Sequence, residues 1–219
     1  MIRLVVFDCD GTLVNSQHVI VAAMRAAFEA DGRAAPEAAA IREIVGLSLP
    51  VALGQLLPEG AAEAGEVRTL AENYTEAYQA LRQAADFDEP LFEGARAVLD
   101  ELDRRGLVLG IATGKSRRGL LSVLEHHDLA GLFASLQTAD RHPSKPHPGM
   151  LEAAMQETGC DAQETLLLGD TSYDMAMGVA AGVSAVGVAW GYHPIAELGR
   201  AGAMCVLERF EQLLDVVAA

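Results

Sequence analysis

The stretch that decides the fold is residues 4–14, which read L-V-V-F-D-C-D-G-T-L-V. Its apolar first half predicts a buried parallel strand. Side chains two residues apart on a strand point to the same side, so we expect Asp8 and Asp10 to face one small volume just past the strand's end. Two carboxylates this close repel each other unless a cation lies between them or one carries a proton. The same letters also fit a strand that ends in an ordinary Asp-Gly turn, so the motif alone leaves both interpretations open.

Composition and charge narrow the class of protein. The 219 residues are long enough to bury a sizeable core, and 51% of them are apolar. A net charge of −15 argues against a nucleic-acid or anionic-membrane partner, although a local cation can still prepare one cleft for a small anion. Three cysteines with no metal-type spacing, no apolar run of membrane-spanning length and no signal peptide after Met1 together predict a cytoplasmic protein.

The region that follows the first strand has helical periodicity throughout. Apolar residues recur at helical spacing, and nothing between about residues 15 and 85 resembles a strand. Ser16 is the expected N-cap of the first helix. The predicted helices cover residues 17–30, 36–45, 51–57 and 62–83. We therefore expect an all-α block inserted after the first strand.

From residue 86 onward the pattern changes to alternating strands and helices. The predicted strands are 107–112, 133–137, 165–168, 184–189 and 204–207. One predicted helix follows residues 92–94 and runs through Arg105, and the others are 117–127, 149–158, 172–181 and 208–217. Alternation at this spacing indicates βαβ units and a parallel sheet covered on both faces. The predicted fold class is α/β, with a Rossmann-like doubly wound sheet as its core.

Three further groups of polar residues lie near the carboxyl ends of predicted strands, where open α/β sheets bind their ligands. Thr113 and Gly114 offer a hydroxyl and an amide at a strand-to-helix junction, which suits an anion. Lys145 lies in a loop stiffened by prolines, and Asp170 and Asp174 begin a helix after a strand. Each group alone also fits helix capping or a solvated lysine. Their joint occurrence at four places favours a single site with oxygen ligands suited to Mg²⁺.

These motifs carry a family resemblance that covers nearly the whole chain. The set D-C-D-G-T-L, I-A-T-G-K, S-K-P-H-P and G-D-T-S-Y-D resembles the four signature motifs of the haloacid dehalogenase superfamily, in its phosphatase branch. The order of the motifs and the helical insert resemble the subgroup of phosphoglycolate phosphatases and β-phosphoglucomutases. The resemblance implies an α/β core of residues 1–14 and 86–219 and a mobile helical cap of residues 15–85, with hinges near 14–17 and 85–90.

The resemblance also implies roles for the acidic residues. Asp8 is expected to attack phosphorus and form an aspartyl-phosphate. Asp10 is expected to protonate the leaving group and then to activate water. Magnesium is expected to bind Asp8, the backbone carbonyl of Asp10, Asp170 and, directly or through water, Asp174. An acid at position 10 favours phosphoryl chemistry over cleavage of a carbon–halogen bond.

The remaining motif residues are expected to bind the phosphoryl group. Thr113 and the amide of Gly114 would contact its oxygens, and Lys145 would offset charge on both Asp8 and the phosphate. Lys115 follows Gly114 at a helix start, and we expect it to lie outside the site.

The predicted activity is Mg²⁺-dependent hydrolysis of a small phosphomonoester that resembles phosphoglycolate. The expected partner is therefore a small phosphorylated metabolite, and the expected assembly is a monomer or homodimer. The turn at residues 44–49 lacks the basic residues that mutases of this kind use for a second phosphate, although Arg42 lies one turn earlier. A phosphomutase, a pyrophosphatase and a catalytically silent phosphate-binding protein remain alternatives.

Overall fold

The centre of the fold is a parallel β-sheet. The computed structural model describes residues 1–58, 63–85 and 87–218, and in this part of the chain six strands form the sheet in the order β3-β2-β1-β4-β5-β6. The strands are β1 (Leu4–Phe7), β2 (Val108–Thr113), β3 (Ser135–Thr138), β4 (Thr165–Gly169), β5 (Ser184–Val188) and β6 (Cys205–Leu207). Every pairing is parallel, and β1 lies between β2 and β4.

Helices cover both faces of this sheet. They are α5 (Ala95–Arg104), α6 (Arg117–His126), α7 (Gly149–Thr158), α8 (Ser172–Ala181), α9 (Ile195–Arg200) and α10 (Leu213–Val216). Val5 and Phe7 pack into a cluster that includes residues of α5, α6 and α10, whereas Leu4 and Val6 pack into a second cluster with residues of α7 and α8. Side chains of one strand thus alternate between two buried faces. The predicted doubly wound α/β fold is confirmed.

Four helices lie between β1 and the rest of the sheet in sequence. They are α1 (Gln17–Ala30), α2 (Ala38–Ile44), α3 (Leu49–Leu56) and α4 (Ala64–Arg82), and they share a separate apolar cluster built around Met24, Ile41, Leu53 and Leu70. The segments that enter and leave this helical block run side by side, because Asn15 N–H donates to the carbonyl of Pro90 at 2.8 Å. No helix in the described ranges is both long and apolar enough to cross a bilayer.

The division into a core and a cap at residues 15 and 85 stays a prediction. The hinge prediction at 85–90 includes Asp86, which lies outside the described residues, as do the first residue of the predicted helix 62–83 and the last residue of the chain.

Near the end of the chain the structure differs from the predicted elements in two ways. Helix α9 was not predicted, because it has only six residues and buries only Leu198, which is too short for a helical period to be visible. The predicted helix 208–217 is a 3₁₀ turn, Phe210–Gln212, followed by the four-residue α10.

Candidate active site

The four sequence motifs meet at one edge of the sheet. Asp8 follows β1, Thr113 ends β2 and Asp170 follows β4, and these three strands are neighbours. Because parallel strands all end at the same edge, residues far apart in sequence become adjacent in space. Lys145 reaches the same point from the loop between β3 and α7, and its ammonium lies 3.0 Å from Oδ1 of Asp8.

An acidic cluster around Lys145 forms the inner end of the site. Asp8, Asp170 and Asp174 each present a carboxylate oxygen, and these atoms lie within 4.8 Å of one another. All three residues are buried, and so is Lys145, which also lies 2.6 Å from Oδ1 of Asp174. The structure therefore brings together four of the residues that the sequence singled out, with one positive charge among three carboxyl groups.

Neighbouring donors fix the two aspartates that follow β4. The hydroxyl of Thr12 donates to Oδ1 of Asp170 at 2.8 Å, and the backbone N–H of Tyr192 donates to Oδ2 at 2.9 Å. Thr171 donates to Oδ2 of Asp174 through its N–H at 3.1 Å and its hydroxyl at 2.6 Å. Both carboxylates are thus held in place by short polar contacts, which is how binding sites keep a fixed geometry.

Glycine at position 11 lets the chain pass close to this cluster. Its φ is +83°, in the left-handed region that glycine adopts without strain. A Cβ atom there would collide with the side chains of Asp170 and Tyr192. The Asp-Gly step after β1 is therefore required by close packing against the acidic cluster as well as by the turn.

Burial dominates the electrostatics of the cluster. It raises the pKa of Asp8 to about 7; Lys145 opposes this shift and the charge of Asp174 adds to it. Burial also raises the pKa of Asp170 well above its usual range, and the charges of Asp174 and Asp8 add to the effect. Burial disfavours the charge of Lys145, but the carboxylates of Asp174 and Asp8 outweigh it and raise the pKa of the ammonium. If all three carboxyl groups are ionised, the single charge of Lys145 does not compensate them.

This arrangement fits a divalent cation. Oδ2 of Asp8 is buried and has no hydrogen-bond partner in the described part of the chain. An unpartnered carboxylate oxygen beside two other carboxylates is costly unless a further positive charge is bound. Carboxylate oxygens are the hard donors that Mg²⁺ prefers, and Mg²⁺ binds few protein groups.

Asp10 has different surroundings although it is only two residues from Asp8. Oδ1 of Asp10 accepts a hydrogen bond from the hydroxyl of Ser16 at 2.6 Å, and the ammonium of Lys115 lies 2.6 and 2.8 Å from its two oxygens. Ser16 does stand at the N-cap position of α1, but its side chain makes no capping hydrogen bond. The hydroxyl instead donates to the Asp10 carboxylate, and a hydrogen bond to a charged acceptor is stronger than one between neutral groups.

The expectation that Lys115 lies outside the site does not match its position. Besides Asp10, its ammonium lies 3.4 Å from the hydroxyl of Tyr78 on α4 and 3.9 Å from Oε1 of Glu89, and Tyr78 in turn donates to Glu89. Burial disfavours the charge of Lys115, but Asp10 and the other neighbouring acidic groups together outweigh burial and raise the pKa of the ammonium. The signal that could have found this residue is the position of a long cationic side chain at the junction after β2, from which it can reach back over the strand ends.

The helical block packs against the motif that follows β2. Thr113 is buried, and a Cβ atom on Gly114 would lie 2.5 Å from the carbonyl oxygen of Leu47 and 2.6 Å from that of Gly46. The N–H of Ser48, in the same turn, donates to the hydroxyl of Ser144 at 2.8 Å. The turn between α2 and α3 therefore contacts two of the four motifs directly.

A cavity of about 300 Å³ opens from the carboxylates between the helical block and α6. Asp8, Asp10, Thr113 and Gly114 line its inner end. Arg42, the basic residue nearest to the turn at 44–49, lines a separate surface groove with His18 and Arg25. The inner end thus combines a carboxylate pair, a hydroxyl and a backbone amide in a partly enclosed space, which is suited to chemistry on an anionic group.

Comparison with known proteins identifies the family. Residues 5–188 match the model described as haloacid dehalogenase-like hydrolase, and the chain belongs to this family. The predictions of a hydrolase and of the phosphatase branch of the superfamily are confirmed, because the curated relatives are named as phosphatases.

Three relatives illustrate the likeness. The chain is 34% identical to "Probable phosphatase IndB" of Dickeya dadantii, with 99% of this chain and 94% of the relative covered. It is 31% identical to a phosphoglycolate phosphatase of Rhodospirillum rubrum, with 98% and 90% covered. Among solved structures, a hydrolase from Pseudomonas syringae aligns with a TM-score of 0.87 at 29% identity and covers 98% of this chain and 97% of its own. The alignments extend over nearly the full length of each protein.

Proposed function

We propose that this protein hydrolyses a small organic phosphomonoester in a Mg²⁺-dependent reaction that passes through a phosphorylated Asp8. The observation that carries the proposal is the buried Asp8 carboxyl, which lies beside Lys145 and two further carboxyl groups at the inner end of an open cleft. A nucleophilic carboxylate needs positive charge nearby in order to accept an approaching phosphate.

Asp8 and Asp10 divide the reaction into two steps. In the first, an oxygen of Asp8 forms a bond to phosphorus, the bond from phosphorus to the substrate's alcohol oxygen breaks, and Asp10 in its acid form gives that oxygen a proton. In the second, Asp10 takes a proton from water, the water oxygen bonds to phosphorus, and the Asp8 carboxylate is released together with inorganic phosphate. The ammonium of Lys115 and the hydroxyl of Ser16 hold the Asp10 carboxyl group in position for both steps.

Lys145, Thr113 and Gly114 position the phosphoryl group. Lys145 offsets negative charge on Asp8 and on the bound phosphate, while the Thr113 hydroxyl and the Gly114 N–H donate to phosphoryl oxygens. These contacts act where charge spreads in the transition state, so they are expected to affect the rate more than the affinity for substrate.

The metal ligands that we propose are Asp8, the backbone carbonyl of Asp10, Asp170 and Asp174. Bound Mg²⁺ would supply positive charge that keeps Asp8 ionised and reduces its repulsion from a phosphate dianion. The unpartnered buried oxygen of Asp8 supports this assignment.

Phosphoglycolate is the first substrate to test, since several curated relatives are named phosphoglycolate phosphatase. Our proposal places the reaction in the cytoplasm, because all three cysteines are free thiols. We propose a small phosphorylated metabolite as the partner, and a monomer or homodimer as the assembly. A mutase would need basic groups for a second phosphate, and Arg42 lies in a different groove.

A chromogenic phosphomonoester assay tests the proposal. Phosphate release from p-nitrophenyl phosphate should require Mg²⁺, stop with a chelator, and fall by roughly four orders of magnitude or more in Asp8→Asn. Asp103→Asn is the matched control, because Asp103 is exposed on α5 and belongs neither to the acidic cluster nor to the lining of the cleft. Acid quenching during turnover, followed by mass spectrometry, should find a phosphoryl group on Asp8.

Three outcomes would contradict the proposal. No turnover of any phosphate ester would favour a phosphate-binding protein. Conservation of total ester phosphate with a bisphosphate activator would identify a mutase. Turnover confined to inorganic pyrophosphate would identify a pyrophosphatase.

A further inference from the structure

The cleft continues beyond the residues that the proposed reaction uses. From Asp8 and Asp10 it extends for a total of about 300 Å³, at the lower end of the size range of small-molecule sites. A two-carbon acid such as glycolate would fill only its inner part. The remainder of the cleft is therefore available to contact the alcohol portion of the substrate.

The walls of this outer part are largely apolar. The side chains that the helical block contributes are mostly aliphatic or aromatic, and they include Ile20, Met24, Ile44, Leu47, Ala52 and Tyr74. Most of these residues also belong to the apolar cluster of the block, so the cleft opens onto the interior of that cluster. Contact with such a wall favours hydrocarbon and penalises a charged group that loses its water.

The ammonium of Lys115, which lines the cleft, already lies close to carboxyl groups of the protein. Lys115 lies 2.6 Å from Asp10 and 3.9 Å from Glu89, whose side chain is only 1% exposed. One cation therefore faces two carboxyl groups. A carboxylate on the substrate would have to compete with both, and would itself be repelled by them.

The two arginines that line the cleft offer little compensation. The guanidinium of Arg82 donates to the carbonyl of Ser122 at 3.2 Å and lies 5.4 Å from the centre of the Phe87 ring. Arg118 is exposed, so its attraction for an anion is screened by water and salt. A second anionic group on the substrate would therefore meet one guanidinium that already donates to a backbone carbonyl and one that is screened by solvent.

We propose that the preferred substrate is the phosphate monoester of an uncharged, largely apolar alcohol that is longer than glycolate. This inference rests on the proposed phosphatase function and specifies its substrate class. The phosphoryl group occupies the inner end, and the hydrocarbon portion lies against α1, α3 and α4 of the helical block.

A series of n-alkyl phosphates tests this directly. Ethyl, butyl and hexyl phosphate have alcohols of nearly equal acidity, so differences in kcat/KM report contact with the cleft rather than bond chemistry. Each added methylene should raise kcat/KM by about fourfold until the apolar wall is covered. Butyl phosphate should exceed phosphoglycolate by tenfold or more.

Two variants locate the effect in the cleft. Ala52→Leu narrows the apolar part, and it should lower kcat/KM for hexyl phosphate at least tenfold more than for ethyl phosphate. Gln79→Lys adds a cation to the lining, and it should shift the ratio of kcat/KM values toward phosphoglycolate by tenfold or more. Gln83→Lys is the matched control, because it makes the same change near the end of the same helix at an exposed position that does not line the cleft.

A binding measurement separates this inference from the proposed function. Alkylphosphonates cannot be hydrolysed, so their dissociation constants in the presence of Mg²⁺ report the cleft even if no ester is turned over. Tighter binding with chain length, about fourfold per methylene, supports the inference. Equal affinity for ethyl- and hexylphosphonate overturns it, as does a preference for phosphoglycolate that is lost in Arg118→Gln. Absence of hydrolysis alongside length-dependent binding would refute only the phosphatase activity.

Discussion

Replacing Asp8 by asparagine should stabilise the metal-free protein while it abolishes turnover. The pKa of Asp8 is raised from its ordinary value of 3.8 to about 7, first by burial and then, against the opposing effect of Lys145, by the charge of Asp174. Since the folded state holds the proton more tightly than the unfolded state, the contribution to stability is fully present below about pH 4 and is lost as the pH rises through about 7. Above this range Asp8 is ionised although it is buried, and this lowers the stability of the folded state.

The size of that cost follows from the two pKa values. A difference of about three pKa units corresponds to roughly 4 kcal/mol at 1.36 kcal/mol per unit. Close to 3 kcal/mol of this remains to be lost between about pH 5 and pH 8. Asparagine keeps the shape of the side chain and an oxygen that can accept from Lys145, but it removes the buried charge. Asp8→Asn should therefore become more stable than the wild type as the pH rises.

Urea unfolding at pH 5 and at pH 8, with a chelator present, measures the difference in unfolding free energy between Asp8→Asn and the wild type. In wild type, added Mg²⁺ should restore much of the stability at the higher pH, whereas Asp8→Asn should respond far less because one ligand has lost its charge. Asp103→Asn, at an exposed position, should show neither effect. If Asp8→Asn is no more stable than wild type at pH 8 without metal, or if the gap does not widen with pH, the account of Asp8 as a carboxylate held against burial is wrong.

Three further changes probe other contacts in the site. Gly114→Ala should lower kcat/KM by about tenfold to a hundredfold, a loss of 1–3 kcal/mol, because its Cβ would meet the carbonyl of Leu47, while Gly119→Ala, whose Cβ meets nothing closer than 3.4 Å, should be nearly neutral; steady-state kinetics on both variants decides this. Lys145→Met should lower the free energy of unfolding in chelator by about 3–5 kcal/mol, since buried carboxylates lose their counter-charge, and an unchanged urea midpoint would contradict this. Lys115→Met should lower kcat by about a hundredfold with a smaller change in KM, and Lys115→Arg should recover part of the rate; equal losses in both variants would argue against a role through Asp10.

The sequence predicted the sheet well because its signals are local. Apolar runs that end in Asp8, Thr113 and Asp170 identify strands, and the edge rule for parallel sheets then brings these ends together without any knowledge of side-chain packing. The helix limits of α1 match residues 17–30, since its apolar period is regular over four turns. The short α9 has no comparable period, so it was missed.

Contacts that depend on the folded chain could not be predicted in this way. Ser16 carries the signature of a helix cap, and only the approach of the Asp10 carboxylate turns its hydroxyl away from that role. Lys115 lies at a helix start, where a solvated lysine is the usual outcome. Its link to Tyr78 and Glu89 depends on how α4 packs over the strand ends, which no spacing in the sequence encodes.

The different surroundings of Asp8 and Asp10 would allow these two nearby carboxyl groups to have different roles in the reaction that we propose. Asp8 faces other carboxyl groups and shares Lys145 with Asp174, so it gains from any added positive charge, including that of a metal or of an approaching phosphorus centre. Asp10 contacts the ammonium of Lys115 and the hydroxyl of Ser16, and among the described residues no other carboxyl group lies as close to that ammonium. A pair of like groups whose partners differ in this way is the usual basis for separating a nucleophile from an acid–base residue. Because Tyr78 belongs to the helical block and Lys115 to the strand ends, the contact between them links the packing of the block to the orientation of Asp10. A substrate long enough to reach the apolar wall would, in our proposal, stabilise both.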